Sequence, residues 1–136
     1  MISFLSVFPP YRGGISKFSH YLFKELSEKR EISAYNFMRL YPDLLFPGES
    51  QKLPVGQIGR IYATPMVHSY NPFNWRIAAD HMLKRSPDHV IYSYWHPFFA
   101  ASFGQILKRV KKKRPKVKIT GIAHNIKPHE WFPLQN

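Results

Sequence analysis

The stretch "SVFPPYRGGISKFSHYLFKEL", residues 6–26, ends an apolar run at two prolines. It then passes an arginine and two glycines and settles into a helical rhythm. The run that feeds it, Ile2 to Phe8 (ISFLSVF), is short, mostly apolar and stopped by proline, which predicts a buried strand. Beyond the glycines, Ile15, Phe18, Leu22 and Leu26 recur at three- and four-residue spacings. That spacing predicts an amphipathic helix over Ile15 to Lys29. A strand, a glycine-bearing junction and a helix open a βαβ unit. Proline stiffens the approach, and glycine allows positive φ and leaves room for a ligand.

The same alternation continues to the end of the chain. Ile32 to Leu40 reads as a second strand. Tyr41 to Arg60, with three prolines and three glycines, reads as a long loop, and loops of that length in a compact domain usually serve function or mobility. Ile61 to Thr64 reads as a short strand. Asn71-Pro72 then opens a helix, "NPFNWRIAADHMLKRS", with Asn71 or Asn74 as its cap. Asp88 to Trp95 is a strand after the Ser86-Pro87 break. "HPFFAASFGQILKRVKKKR" is a helix with Phe99, Phe103, Ile106 and Val110 on one face, and Val117 to Ala123 is the last strand. Strands alternating with such helices predict an α/β fold, a Rossmann-like parallel sheet with helices on both faces and its first strand central. Ligands of such sheets gather outside the carboxyl ends of the strands.

Length and composition set the frame for that fold. A chain of 136 residues predicts one domain, and 44% hydrophobic with 16% aromatic residues excludes a disordered chain. With no cysteine there is neither a disulfide framework nor a thiolate metal site. The apolar opening lacks a basic flank and is too short for a signal peptide or a membrane span, so a cytoplasmic chain is expected. The formal charge is +12, from 20 Lys and Arg against 8 Asp and Glu. It implies an anionic partner: nucleic acid, phospholipid or a phosphorylated substrate. The run "KRVKKKRPKVK", Lys108 to Lys118, concentrates the surplus, in Lys108, Arg109, Lys111, Lys112, Lys113 and Arg114 above all. Two readings of it stand, an anion-binding patch and a solvated helix end whose cations suit the dipole.

Three segments leave strands at the expected ligand edge. In the first, Gly13 and Gly14 place a helix start, with its unpaired N–H groups, where an anion can approach, and Arg12 can add a bidentate contact. This is neither the G-x-G-x-x-G fingerprint nor a Walker loop. In the second, His96 follows an aromatic strand end; Tyr92 and Tyr94 share one face and belong to core and rim packing, while His96 is a candidate for lining the cleft. In the third, His124 follows "KVKITGIA" directly, where it can exchange a proton with a substrate hydroxyl near neutral pH or simply tie down its loop. His124, His129 and Glu130 lack the spacing of a metal motif, so no metal and no cofactor are expected.

Taken together, these segments resemble the N-terminal domain of the family-4 glycosyltransferases of GT-B fold. "FLSVFPPYRGGISKFSHYLFKEL" is similar to that family's first strand, glycine loop and helix. "LYPDLLFPGESQ" resembles the second-strand loop of a bacterial subgroup, and "ITGIAHNIKPHE" resembles its strand-then-histidine segment. The resemblance implies that residues 1–136 form an acceptor-side Rossmann-like domain, incomplete at Asn136 and lacking the C-terminal donor domain. Alone, such a chain would be inactive. It implies a parent enzyme that moves a sugar from a nucleotide-sugar donor to a hydroxyl of a glycan or lipid-linked acceptor, with a retaining precedent. By position, Gly13 and Gly14 match the glycine loop near the donor diphosphate, His124 matches the histidine near the reacting sugar, and Asn125 follows it. Members that act on lipid-linked acceptors dock on acidic membranes, so the resemblance also implies a peripheral place on the inner membrane face. On that reading the basic run, with Phe98 and Phe99 at the other end of its helix, meets anionic lipid and nucleic acid is not the partner. Two other classes remain, a basic nucleic-acid-binding module and a non-catalytic sugar-phosphate-binding α/β module.

Overall fold

The computed structural model describes residues 1–40 and 62–124. Among them five strands form one sheet: β1 (Ile2–Leu5), β2 (Ile32–Arg39), β3 (Thr64–His68), β4 (His89–Tyr94) and β5 (Lys118–Ala123). Every pairing is parallel and the order is β3-β2-β1-β4-β5, so β1 is central, as the alternation predicts. Helices α1 (Gly14–Ser27), α2 (Pro72–Leu83) and α3 (Ala100–Lys113) link the strands. The result is an α/β fold with a Rossmann-like all-parallel sheet.

Strand alternation divides the core between the two faces. Leu5, Tyr35, Phe37 and Val90 pack with Met82 of α2 and Phe103, Ile106 and Val110 of α3. Ile2, Phe4, Phe8 and Ile91 pack with Leu22, Phe23 and Leu26 of α1 on the other face. Tyr92 and Tyr94 both join the first cluster, as their shared face predicts. The Tyr92 ring leans across β5, 2.7 Å from where a Cβ on Gly121 would stand.

Several boundaries move for local physical reasons. The β1 ladder ends at Leu5, although the chain stays buried to Phe8. The α1 stripe is rotated from the expected one: Ser16 and Ser19 are buried, while Phe18 is 46% exposed. At that end of the helix the sheet offers small polar groups, and Ser6 Oγ meets Ser19 Oγ at 2.7 Å. The third strand begins where the expected one ends. Pro65 sits inside it, which an edge strand accepts because one side of its backbone needs no partner. Asn71 is the α2 cap, its Oδ1 accepting from Phe73 N at 3.1 Å. Asn74 instead ties β3 to α2, accepting from His68 N at 2.7 Å and donating to Met66 O at 3.0 Å. The third helix starts late, after a 3-10 turn over Pro97–Phe99. The loop expected over Tyr41 to Arg60 lies outside the described residues.

Strand order reverses direction beside β1. The chain moves from β1 outward to β2 and β3, then crosses back to β4 on the other side of β1. The carboxyl ends of β1 and β4 therefore flank a topological switch point, the usual ligand crevice of an open parallel sheet.

Candidate functional site at the switch point

The loop leaving β1 is held by one side chain. Asn36, 2% exposed in the middle of β2, accepts from Phe8 N at 3.0 Å and donates to Phe8 O at 3.0 Å and Pro9 O at 3.3 Å. Its Oδ1 also accepts from Phe37 N at 2.9 Å, at a register shift between β2 and β3. The amide thus replaces ladder bonds where the loop peels away, which is why the ladder ends before burial does. Tyr11 N then donates to Phe8 O at 3.1 Å, and burial pushes the Tyr11 phenol up to about 12.

From that anchor the chain reaches the α1 start. Gly13 has φ 116° and ψ 169°, a conformation essentially restricted to glycine. It stands at the cap position without a side chain to close the helix, and the first turn carries no acidic residue. A Cβ at Gly13 or Gly14 would meet no atom of the described residues within 4 Å, so among these residues both glycines border open space. Arg12 is exposed beside them. The first-turn amides thus face an open, electropositive helix end.

His124 joins this end of α1. Its backbone N donates to Tyr94 O at 3.0 Å, which extends the β4–β5 pairing by one residue to the rim of the sheet. Its ring stands edge-on to Phe18, centroids 5.0 Å apart. Phe18 is four residues after Gly14, so the imidazole lies about one helical turn from the glycines on the same face of α1. Nε2 is buried and has no hydrogen-bond partner among the described residues. Burial holds the imidazole below its usual pKa, so near pH 7 it is neutral and able to accept one proton. Ser16 Oγ and Ser93 Oγ are also buried without a partner among the described residues.

The other expected site residues are placed differently. His96 is 7% exposed, and its Nδ1 accepts from Phe98 N at 3.0 Å as the cap of the 3-10 turn, so it holds the α3 entry in place. The side chains of the basic run go to different places. Lys111 Nζ donates to Val117 O at 2.7 Å and Arg114 Nε donates to Pro87 O at 2.8 Å, both fastening the α3–β5 turn. Arg109 forks onto Asp80 at 2.7 and 3.1 Å, while Lys108 and Lys112 line a groove between α2 and α3. Phe99 is fully buried and is no surface group. Asn125, His129 and Glu130 lie outside the described residues, and no group of three metal-binding side chains occurs within them. No helix among them is long and apolar enough to cross a membrane.

Sequence reading missed Asn36, although an amide inside the apolar run "SAYNFM" is itself a signal, since a buried amide needs partners. Compared with known proteins, the chain matches no family model, no curated protein and no solved structure.

Proposed function

We propose that this chain is the acceptor-side Rossmann-like domain of a family-4 glycosyltransferase of GT-B architecture. In that reading a nucleotide-sugar is held mainly by a donor domain beyond these 136 residues, and its diphosphate reaches the α1 start at Gly13 and Gly14. The observation that carries the reading is a convergence at the switch point. An uncapped helix start bordering open space lies about one turn from a neutral, half-buried imidazole whose Nε2 has no hydrogen-bond partner among the described residues. Amides and the helix dipole stabilise phosphate charge, Arg12 adds a cation, and His124 Nε2 hydrogen-bonds the acceptor hydroxyl or the transferred sugar. The acceptor is a glycan or lipid-linked hydroxyl, and the protein works in the cytoplasm, at the inner membrane face when the acceptor is a lipid.

The test is turnover in a transfer-competent protein that contains this chain. Gly14→Val fills the open space and should cut transfer strongly, and His124→Ala should lower it by about 10²–10⁴-fold, the usual range for an acid/base group. Unchanged thermal melts exclude unfolding as the cause. A non-catalytic sugar-phosphate module would share the glycine cradle, and it is favoured if Gly14→Val abolishes binding while His124→Ala changes nothing. Parental transfer rates in Gly14→Val would refute the role of the loop.

A further inference from the structure

Cations and aromatic rings that lie far apart in sequence meet on the outer surface of α2 and α3. Lys108 and Lys112 are exposed on α3 one turn apart, about 6 Å along its axis. Across from them α2 contributes Trp75 and Arg76. The two helices border an open groove of about 470 Å³, lined by Trp75, Arg76, Gln105, Lys108, Arg109 and Lys112 among others. One wall is fixed, because Trp75 Nε1 donates to His68 O at 2.8 Å and the indole packs against the core. The carboxylate beside the groove, Asp80, is already taken by the two-pronged Arg109 contact. Arg76, Lys108 and Lys112 make no ion pair or hydrogen bond among the described residues.

Next to these cations stand apolar groups that the core does not use. Ala78, Ala79 and Met82 turn inward from α2, whereas Phe73 and Ile77 turn outward and are 85% and 66% exposed. Phe73 is three residues before Arg76 and therefore its neighbour on the helix surface. An aromatic ring left in water beside unpaired cations builds no core and marks a contact surface.

We infer that the α2–α3 groove binds single-stranded nucleic acid. Arg76, Lys108 and Lys112 hold successive phosphates, and a base stacks on the Phe73 ring, with Ile77 extending the apolar platform. Three features select this occupant. The cations line a concave channel, which a flexible strand can enter and a flat bilayer cannot. The one-turn spacing of Lys108 and Lys112 suits successive phosphates of an extended strand. The carboxylates of an acidic peptide, or a free phosphate, would meet the cations and leave Phe73 in water, whereas every base offers a π-face to it. In sequence the basic run has no aromatic residue among its lysines; the fold supplies one from α2. The resemblance to glycosyltransferases sets nucleic acid aside, and binding here needs no part of the transfer reaction. The groove lies on the opposite side of the sheet from α1.

The experiment is fluorescence anisotropy of the chain with labelled oligouridylate and oligothymidylate of about 12 nucleotides, in about 0.1 M salt. One strand or both should bind, and the pair tells an RNA site from a DNA site. The triple variant Arg76→Gln, Lys108→Gln, Lys112→Gln should weaken binding about 10²-fold. It should also flatten the log–log salt slope by about 2, at about 0.7 for each phosphate contact. Phe73→Ser should weaken binding about tenfold, while Phe73→Tyr, which keeps the ring, should stay within about threefold. Lys17→Gln, Lys24→Gln, Lys29→Gln removes the same charge from the α1 side and should also stay within about threefold. Circular-dichroism melts confirm that the variants fold. No binding of either strand, equal loss in both triple variants, or indifference to Phe73→Ser overturns the inference. So does polyglutamate binding as tightly as the strands, or binding of anionic vesicles with neither strand bound.

Discussion

Replacing Asn36 by alanine removes the group that fixes the ligand loop to the sheet. The amide makes four hydrogen bonds: Oδ1 accepts from Phe8 N and Phe37 N, and Nδ2 donates to Phe8 O and Pro9 O. All but the Pro9 contact are buried, and each buried backbone group left unsatisfied costs about 1–3 kcal/mol. Phe8 O keeps Tyr11 N as a partner, and water entering the vacated space re-satisfies part of the rest, so we take about 1.5 kcal/mol for each of the two orphaned amides, Phe8 N and Phe37 N, and a total of about 3 kcal/mol. An entropy of unfolding of about 2.1 cal/mol/K per residue makes 1 kcal/mol worth about 3.5 °C for a chain of this length. Asn36→Ala should therefore lower the Tm by about 10 °C. Asn36→Leu keeps the volume but leaves the same backbone groups unpaired, and it should fall as far. Hydrogen exchange gives the local readout: the amides of Phe8 and Phe37 should lose protection beyond the global change. A Tm loss under about 3 °C, or unchanged protection at Phe8, would refute the claim that Asn36 holds the loop.

The two glycines should separate cleanly. Gly13→Ala forces a side chain into φ 116°, which costs about 1–3 kcal/mol and about 4–10 °C, whereas Gly14→Val, with free space and no positive φ, should melt within about 2 °C of wild type; equal melts for both would contradict the Gly13 geometry. For His124 the sign follows from burial lowering its folded pKa. Below about pH 6.5 the unfolded chain binds the proton first, so stability falls as pH drops from there toward the lower folded pKa and is unaffected well above about pH 6.5. The Tm difference between wild type and His124→Gln should thus change between pH 7 and 5, and parallel curves would show that the imidazole is not held neutral.

The sheet was legible because its signals are local and redundant. Short apolar runs bounded by proline and glycine, alternating with amphipathic segments, leave few topologies besides a parallel sheet with β1 inside. The glycine junction and His124 were legible as strand-end residues. Whether they meet was not, because that depends on the rotation of α1 about its axis. Sequence spacing put Phe18 in the core, yet Ser16 and Ser19 face the sheet and Phe18 turns to His124. The same limit governs the basic run. Adjacent lysines look alike in sequence, but helical rotation sends Lys111 to a backbone carbonyl and Lys112 to the α2 groove. His96 shows a second structural use: a histidine before proline is also a good cap, and here its Nδ1 caps the 3-10 turn.

An amide-resolved NMR titration of the chain with pyrophosphate and with nucleoside diphosphates tests the switch-point site most directly. We expect weak, saturable shifts confined to the amides of Gly14, Ile15 and Ser16 and to the His124 ring, lost in Gly14→Val while its spectrum stays folded. Shifts spread over the lysines of α3, or none at the α1 start at saturating ligand, would contradict a phosphate site there.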